Sequence, residues 1–426
     1  MKRIGFLAFA ALFSCVHAGA TDVVLTGADL HTVSHGVIER GELLIRDGKI
    51  AALGARVDAA ADAQRIALDG KRVYPGLIAA DSLLGLNEID AVRATVDFAE
   101  AGAINPSARA LVAIDADSEQ IAVARANGVL TVHVVPRAGD DGLLTGQSAL
   151  IKPDGWTWEQ MRLVEPVGVH LFWPTARVPP WMPPQAQEKA AESLRKKLAA
   201  IDTAFREART YRAARQKSTA TADDLRWDAM LAVLDRKQPL FVHADDAVQI
   251  RDTLAFAERE QVRLVLVGGM DAWRFAATLK ARDIPVILGS SHNLPLRRWE
   301  SYDTVYAAAG KLAAAGVRLA IANESGSSNE RNLPYQAASY AAFGLDREVA
   351  LRAITLSAAE ILGVEQRLGS LDVGKDATLF IADGDALENF TKVERAWVQG
   401  HEIDLTNRQT RLYDKYRGKY EGKAKK

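Results

Sequence analysis

The sequence predicts a mixed α/β chain: a TIM-like (β/α)8 barrel plus a small β-sandwich domain built from both the N- and C-terminal segments. Three observations predict it. Eight short, near-continuously apolar runs lie between residues 75 and 322, each followed by a helical pattern, as parallel strands covered on both faces require. Hairpin signals are concentrated at the two ends of the chain. Neither end is large enough to bury a core alone, so packing the two together solves the problem. The expected boundaries are 1–20 for a signal peptide, 21–74 with 365–408 for the β-domain, 75–364 for the barrel and 409–426 for a C-terminal tail.

The N-terminus has the layout of a secretory signal. Lys2 and Arg3 precede the apolar run Ile4 to Phe13, and Ala18-Gly19-Ala20 fits small-x-small cleavage, giving a mature start at Thr21. The run is too short to span a bilayer, and no later stretch is long enough. Cys15 is the single cysteine and lies in the segment to be removed. The mature chain is therefore free of thiol and disulfide chemistry, which suits export to an oxidising compartment, here expected to be the bacterial periplasm. Leu12-Phe13-Ser14-Cys15 is a poor lipid-attachment box. Lipidation of Cys15 stands as the alternative to cleavage after Ala20.

Formal net charge is -1, from 53 basic and 54 acidic residues. That balance points to no nucleic acid and no acidic membrane surface as partner.

Along the mature chain, Gly41 to Arg46, Asp47-Gly48 and Lys49 to Gly54 read as a hairpin, and Asp69-Gly70 marks another such turn. The barrel runs are Pro75 to Asp81, Val129 to Val135, Ser148 to Lys152, Val167 to Trp173, Leu240 to His243, Arg263 to Val267, Ile284 to Gly289 and Arg318 to Ala322. Two connections are long, Leu84 to Asn127 and Pro174 to Pro239. In the second, Leu194, Leu198, Ile201, Phe205 and Ala208 repeat at amphipathic-helix spacing. Two roles fit it: cover over the barrel mouth, or a solvated helix packed beside the barrel. Asp376 to Ile381 reads as a strand, Val393 to Ile403 as a hairpin about Gln399-Gly400, and the tail from Arg411 as a surface helix.

Val73-Tyr74-Pro75-Gly76-Leu77-Ile78 entering the first barrel strand resembles the amidohydrolase superfamily, especially its imidazolonepropionase-like members. So does Ala358-Ala359-Glu360-Ile361-Leu362-Gly363 followed by Gly369-Ser370-Leu371-Asp372-Val373-Gly374-Lys375-Asp376-Ala377. The resemblance covers nearly all of the mature chain. It implies the barrel with its β-domain, and hydrolysis of amide-type C–N bonds with one or two divalent metals. Imidazole and carboxylate ligands leave a metal position open for water, whose pKa falls to roughly 7.

The ligand pattern so implied is largely missing. Where such proteins carry His-x-His at the end of strand one, this chain has Asp81 and Leu83. Strand five keeps His243. Strand six reads Leu266-Val267-Gly268-Gly269, without histidine, and strand eight places Glu324 at the position of the base, with Asn323 beside it. On strand four His170 is the candidate.

Asp81, His243 and Glu324 are therefore the candidate catalytic and metal-binding residues. One reading makes them a reduced site for a single Zn-like divalent ion. The other makes them a metal-free polar cluster at the mouth. Metal-free proton transfer by the same groups is a third. Among the other histidines, His31, His35 and His401 are expected on the surface of the β-domain and His133 in the core. For His292, after strand seven, the mouth and elsewhere stay equally open.

Gly139 to Gly146 lacks the Lys-Ser/Thr that opens a phosphate-loop helix, and no Gly-x-Ser-x-Gly elbow occurs. The expected function is that of an exported hydrolase of non-peptide C–N bonds with a reduced or lost metal site. The alternative is a non-catalytic barrel that binds a ligand or partners an active hydrolase. The partners expected are a small-molecule substrate or ligand and, as an open matter, a homo-oligomer or related hydrolase subunit.

Overall fold

A computed structural model describes residues 22–175, 181–217, 222–323 and 326–422. The expected signal segment, Cys15 and Glu324 lie outside the described residues.

The chain begins with β1 (Val23–His31), β2 (Val37–Arg46) and β3 (Lys49–Gly54), an antiparallel meander. Asp47 and Gly48 both take positive φ, 50° and 76°, the twist-matched turn that Asp-Gly favours. Next come β4 (Gln64–Ala67) and β5 (Arg72–Pro75). The hairpin expected at Asp69-Gly70 is not formed. Both strands pair parallel to β1, end to end. Leu68 N bonds Thr26 O and Asp29 N bonds Lys71 O, so the chain follows β1 through the turn instead of reversing.

The central region opens with β6 (Leu77–Ser82), α1 (Glu119–Arg125) and β7 (Val129–Val134). There follow β8 (Leu144–Gln147), β9 (Ala149–Ile151), α2 (Trp158–Met161), β10 (Arg162–Val164) and β11 (Val169–Phe172). After α3 (Pro184–Lys217) and α4 (Leu225–Leu234) come β12 (Leu240–Ala244), α5 (Ala247–Glu260), β13 (Leu264–Gly268), α6 (Ala276–Ala281), β14 (Val286–Leu288), α7 (Ala308–Ala314) and β15 (Leu319–Ile321). The region ends with α8 (Leu333–Ala342), α9 (Arg347–Ala353) and α10 (Leu356–Leu362).

These strands form two hydrogen-bonded sheets, β10-β9-β7-β6 and β15-β14-β13-β12-β11-β8. The pairs β6–β7, β11–β12, β12–β13, β13–β14 and β14–β15 are parallel. The third run departs from expectation. β9 is antiparallel to β7 and β8 antiparallel to β11. A parallel return needs a crossover of a dozen or so residues, usually a helix, and the stretch 135–148 between β7 and β9 holds β8 and no helix. Ser148 alone separates β8 from β9, so one extended segment joins the two sheets. Among the described residues neither sheet closes on itself, since β6 and β15 are not hydrogen-bonded to each other.

Alternate residues from both sheets nevertheless bury one shared cluster: Ile78, Ala80, Leu150, Phe241, Val265, Val267, Ile287 and Ala320, closed at one end by Ile361 and Leu362 of α10. The intervening residues (Leu77, Val132, Leu240, Leu264, Val286 and Leu319) pack outward in the larger core, with the helices. This period of two, with both faces buried, is why the runs read as continuously apolar.

In α3 the second half is anchored: Ile201, Ala204, Phe205, Ala208 and Tyr211 are buried, while Leu194 and Leu198 are half-buried. Phe205 meets Phe256 of α5 edge-on at 4.9 Å, and Arg209 pairs with Glu260 at 2.5 Å. The helix therefore packs beside α5.

The chain returns with β16 (Leu379–Ala382), β17 (Val393–Val398) and β18 (His401–Ile403), and ends in α11 (Arg408–Tyr420), which has no buried residue. β16 pairs with β5, so both termini share one eight-stranded sheet. The expected sandwich is thus a single sheet. Its edge strand β3 bonds back through Ile50 N to Lys375 O, so the sheet curls over its own core of Leu25, Leu43, Ile50, Val73, Leu379 and Trp397. His35 and His401 are exposed, but His31 is not a surface residue: it stacks on Tyr74 at 4.4 Å, half-buried. No helix among the described residues is long and apolar enough to cross a membrane.

Candidate functional site

A pocket of about 290 Å³ opens where β6, β11, β12 and β13 end. Its polar lining includes Asp81, Ser82, Arg137, His243, Asp245 and Glu330, and Phe172 and Trp173 form an aromatic wall. All of these sit at or just after the C-terminal ends of strands, the end at which loops gather functional groups in parallel α/β architectures.

Asp81 reaches the pocket because β6 is bulged. Ala79 pairs with Val132 and Ser82 with Val134, so three steps on β6 oppose two on β7. The extra residue breaks the in–out alternation, and Asp81 and Ser82, adjacent in sequence, both line the pocket. Asp81 is 1% exposed. Its Oδ1 accepts a hydrogen bond from Arg137 Nη1 at 2.8 Å, and its Oδ2 is buried without a hydrogen-bond partner among the described residues.

Beneath the pocket lies a column of neutral histidines. His133 on β7 donates from Nδ1 to Ala80 O (2.7 Å), a carbonyl of the bulge, and accepts at Nε2 from Ser148 Oγ (2.7 Å). A carbonyl only accepts, which fixes this tautomer. Burial lowers His133 to about 4. His170 Nδ1 and His243 Nε2 share a hydrogen bond at 3.0 Å. Burial holds both well below 6.5; the next cause is the neighbouring His243 for His170 and the Arg137 charge for His243. Phe241 stacks under His170 at 4.7 Å and Phe172 on His243 at 3.9 Å, which fixes both rings.

Glu330, in the helical turn Ser327–Asn332 after β15, is 2% exposed. Its Oε2 accepts from Ser82 Oγ at 2.6 Å, and its Oε1 has no hydrogen-bond partner among the described residues. Burial pushes its carboxyl up to about 7, against the lowering effect of Ser82 and with a further rise from the Asp81 charge. Asp245 is also raised, first by burial, then against the Met270 amide and with repulsion from Asp246 and Asp271. Asp245 explains the glycine that ends β13. Gly268 has φ 87°, and a Cβ there would lie 2.5 Å from Asp245 Oδ1. The Asp245 carboxylate fills the space a side chain at Gly268 would need.

The described residues do not fit the metal that the resemblance implies. A ligand must offer a free lone pair to the ion. Asp81 gives Oδ1 to a guanidinium and keeps Oδ2 open, but His243 Nε2 is engaged by His170 and brings no second open donor from that atom. Leu83 lines the pocket, and no three His, Cys, Asp or Glu among the described residues are placed to hold an ion. What the arrangement offers is hydrogen bonding, a buried ion pair and a carboxyl titrating near neutrality.

Of the three sequence candidates, Asp81 and His243 meet in this pocket, and Glu324 lies outside the described residues. Its neighbour Asn323 is fully buried and accepts from Gln336 Nε2 at 3.2 Å. His292 is exposed, bonds Gln336 and Ser339 on α8, and does not line the pocket. No residue of α3 lines it either. Sequence reasoning missed Arg137 and Glu330. The available signal was their place, in the segments that follow the second and eighth apolar runs.

The amidohydrolase family model matches residues 274–401. No curated protein matches the chain. Among solved structures, an amidohydrolase from Thermotoga maritima MSB8 is 25% identical with a TM-score of 0.81, covering 90% of this chain and 99% of its own. A prolidase complexed with N-methylphosphonate-L-proline is 16% identical (TM-score 0.54; 90% and 100% covered). An adenosine deaminase from Xanthomonas campestris with bound zinc is also 16% identical (TM-score 0.53; 94% and 98%). The last two speak for the fold alone. The chain thus carries an amidohydrolase-family segment at residues 274–401 and shares the fold of the T. maritima amidohydrolase along nine-tenths of its length.

Proposed function

We propose that this chain is an exported, periplasmic member of the superfamily that binds a small polar molecule at the barrel mouth without the metal–hydroxide machinery. The observation that carries this reading is the Arg137–Asp81 ion pair: a fixed guanidinium supplies the positive charge beside a buried carboxylate. The His170–His243 bond supports it by engaging the second candidate donor.

The reading takes the two central sheets as one (β/α)8-type barrel, joined through Ser148 and packed shut between β15 and β6. The shared cluster of alternate residues supports that closure. Export rests on the signal-like residues 1–20, with cleavage after Ala20.

A second reading has a specific observation behind it. The Glu330 carboxyl, pushed up to about 7, lines the same pocket as Asp81 and His243. Groups titrating near the working pH suit general acid–base catalysis, here on an amide-type C–N bond.

The test is metal content and hydrolysis together, on protein purified without chelators or affinity metal. We expect a folded protein with no stoichiometric ion and no amide, lactam or dipeptide hydrolysis. Hydrolysis lost in Glu330→Gln and insensitive to chelation would establish the second reading. About one ion per chain, lost in Asp81→Ala and His243→Ala, would overturn both in favour of a single-ion site at Asp81, His243 and Glu324.

A further inference from the structure

We infer that the mouth pocket recognises a primary ammonium group, held between Asp81 Oδ2 and Glu330 Oε1, so that its ligand is a small organic amine. This deepens the ligand-binding reading and rests on it.

Asp81 and Glu330 share one environment. Each is almost wholly buried, at 1% and 2% exposure. Each has one oxygen satisfied by the protein, by Arg137 for Asp81 and by Ser82 for Glu330. Each leaves its second oxygen buried with no hydrogen-bond partner among the described residues, and both residues line the same pocket. An unpaired buried acceptor is costly. A ligand that donates hydrogen bonds to both oxygens relieves two such costs at once.

Charge selects a cation. The described lining holds three carboxyl side chains, Asp81, Asp245 and Glu330, against one guanidinium, Arg137. Its histidine is neutral, held far below its usual range by burial. An ammonium brings the missing positive charge together with up to three N–H donors.

Shape and wall chemistry select an organic cation over a metal ion. Phe172 and Trp173 line the pocket beside the polar groups. Aromatic faces attract ammonium groups and cover their alkyl chains, and they offer nothing to a hard divalent ion that wants several oxygen or nitrogen ligands. At about 290 Å³ the pocket lies at the small end of the range for ligand sites, roughly 300–1,000 Å³. The ligand is therefore a few carbons long, not a polymer.

The experiment uses the full mature chain and n-butylamine as probe, with n-butanol as its uncharged counterpart and N-methylacetamide as a neutral amide. Binding is read by ligand-observed NMR near neutral pH. We expect n-butylamine to bind at least roughly tenfold more tightly than n-butanol, and to weaken roughly tenfold in Glu330→Gln. Asp81→Asn is the second variant, with circular dichroism confirming that each is folded. Equal binding of amine and alcohol, or amine binding unchanged in a folded Glu330→Gln and a folded Asp81→Asn, overturns the assignment. If N-methylacetamide binds and the amine does not, the ligand-binding reading survives and the ammonium inference falls. If no probe binds, both fall. Stoichiometric Zn2+ that displaces n-butylamine overturns the organic ligand in favour of a metal.

Discussion

Arg137 Nη1 and Asp81 Oδ1 lie 2.8 Å apart, tying the loop after β7 to the bulged end of β6. The Asp81 side chain is 1% exposed and that of Arg137 15%, so water screens the pair little. Removing one partner strands the other charge in a medium that solvates it poorly. Arg137→Met is expected to cost about 3–5 kcal/mol in chemical denaturation. The double variant Arg137→Met/Asp81→Asn should recover a large part of that loss. A single variant as stable as wild type would show that the pair is solvated.

Glu330 is expected to make the protein less stable as pH rises. Its carboxyl is pushed up to about 7 in the fold, against 4.5 for an ordinary glutamate. The folded state therefore holds the proton more tightly. This contribution is fully present below about 4.5 and is lost as pH rises to about 7. At one unit to 1.36 kcal/mol the effect is about 3 kcal/mol. Glu330→Gln, permanently uncharged, should be more stable than wild type above neutrality and similar to it in mild acid. Denaturation curves across that range check the sign, and parallel stability profiles would contradict it.

The buried histidines act in the opposite sense. His133 titrates at about 4 in the fold against 6.5 when free, and His170 and His243 are likewise lowered. The unfolded chain takes up the protons first, so stability present above 6.5 is lost as pH falls from there toward 4. In the Glu330→Gln background, where the opposing carboxyl is gone, the slope should be roughly 1.4 kcal/mol per pH unit for each histidine. A flat profile between those limits would mean that the column is hydrated.

The two halves of α3 should respond differently to truncation. Phe205 is fully buried against Phe256, so Phe205→Ala is expected to cost about 3–5 kcal/mol. Leu194 is only half-buried, and Leu194→Ala should cost less than about 1 kcal/mol. Thermal melts of both variants provide the comparison. Equal losses would place the first half of the helix in a packed environment.

Much of the architecture was legible in the residues themselves. Eight apolar runs became strands because a strand covered on both faces has no polar side to show, and that leaves a mark in composition alone. The Asp47-Gly48 turn was legible because positive φ at two successive positions restricts residue type. His243 was singled out by the family resemblance, and the end of its strand places it in the pocket.

The third run could not be read in the same way. Pairing direction depends on the path of the connection, and Ser148 to Lys152 looks alike whether parallel or antiparallel. Asp69-Gly70 looked like a hairpin because a local signal does not report that β1 runs alongside both flanking strands. Above all, the site was decided by tertiary structure. A one-residue bulge turns Asp81 into the pocket, Arg137 arrives from another strand end to claim one of its oxygens, and Glu330 comes from some 250 residues away to bond Ser82. Hydrophobic periodicity is a property of neighbours along the chain and survives in the sequence. The charge balance and proton affinity of a buried group are set by whatever folds against it, and those neighbours exist only once the chain is folded.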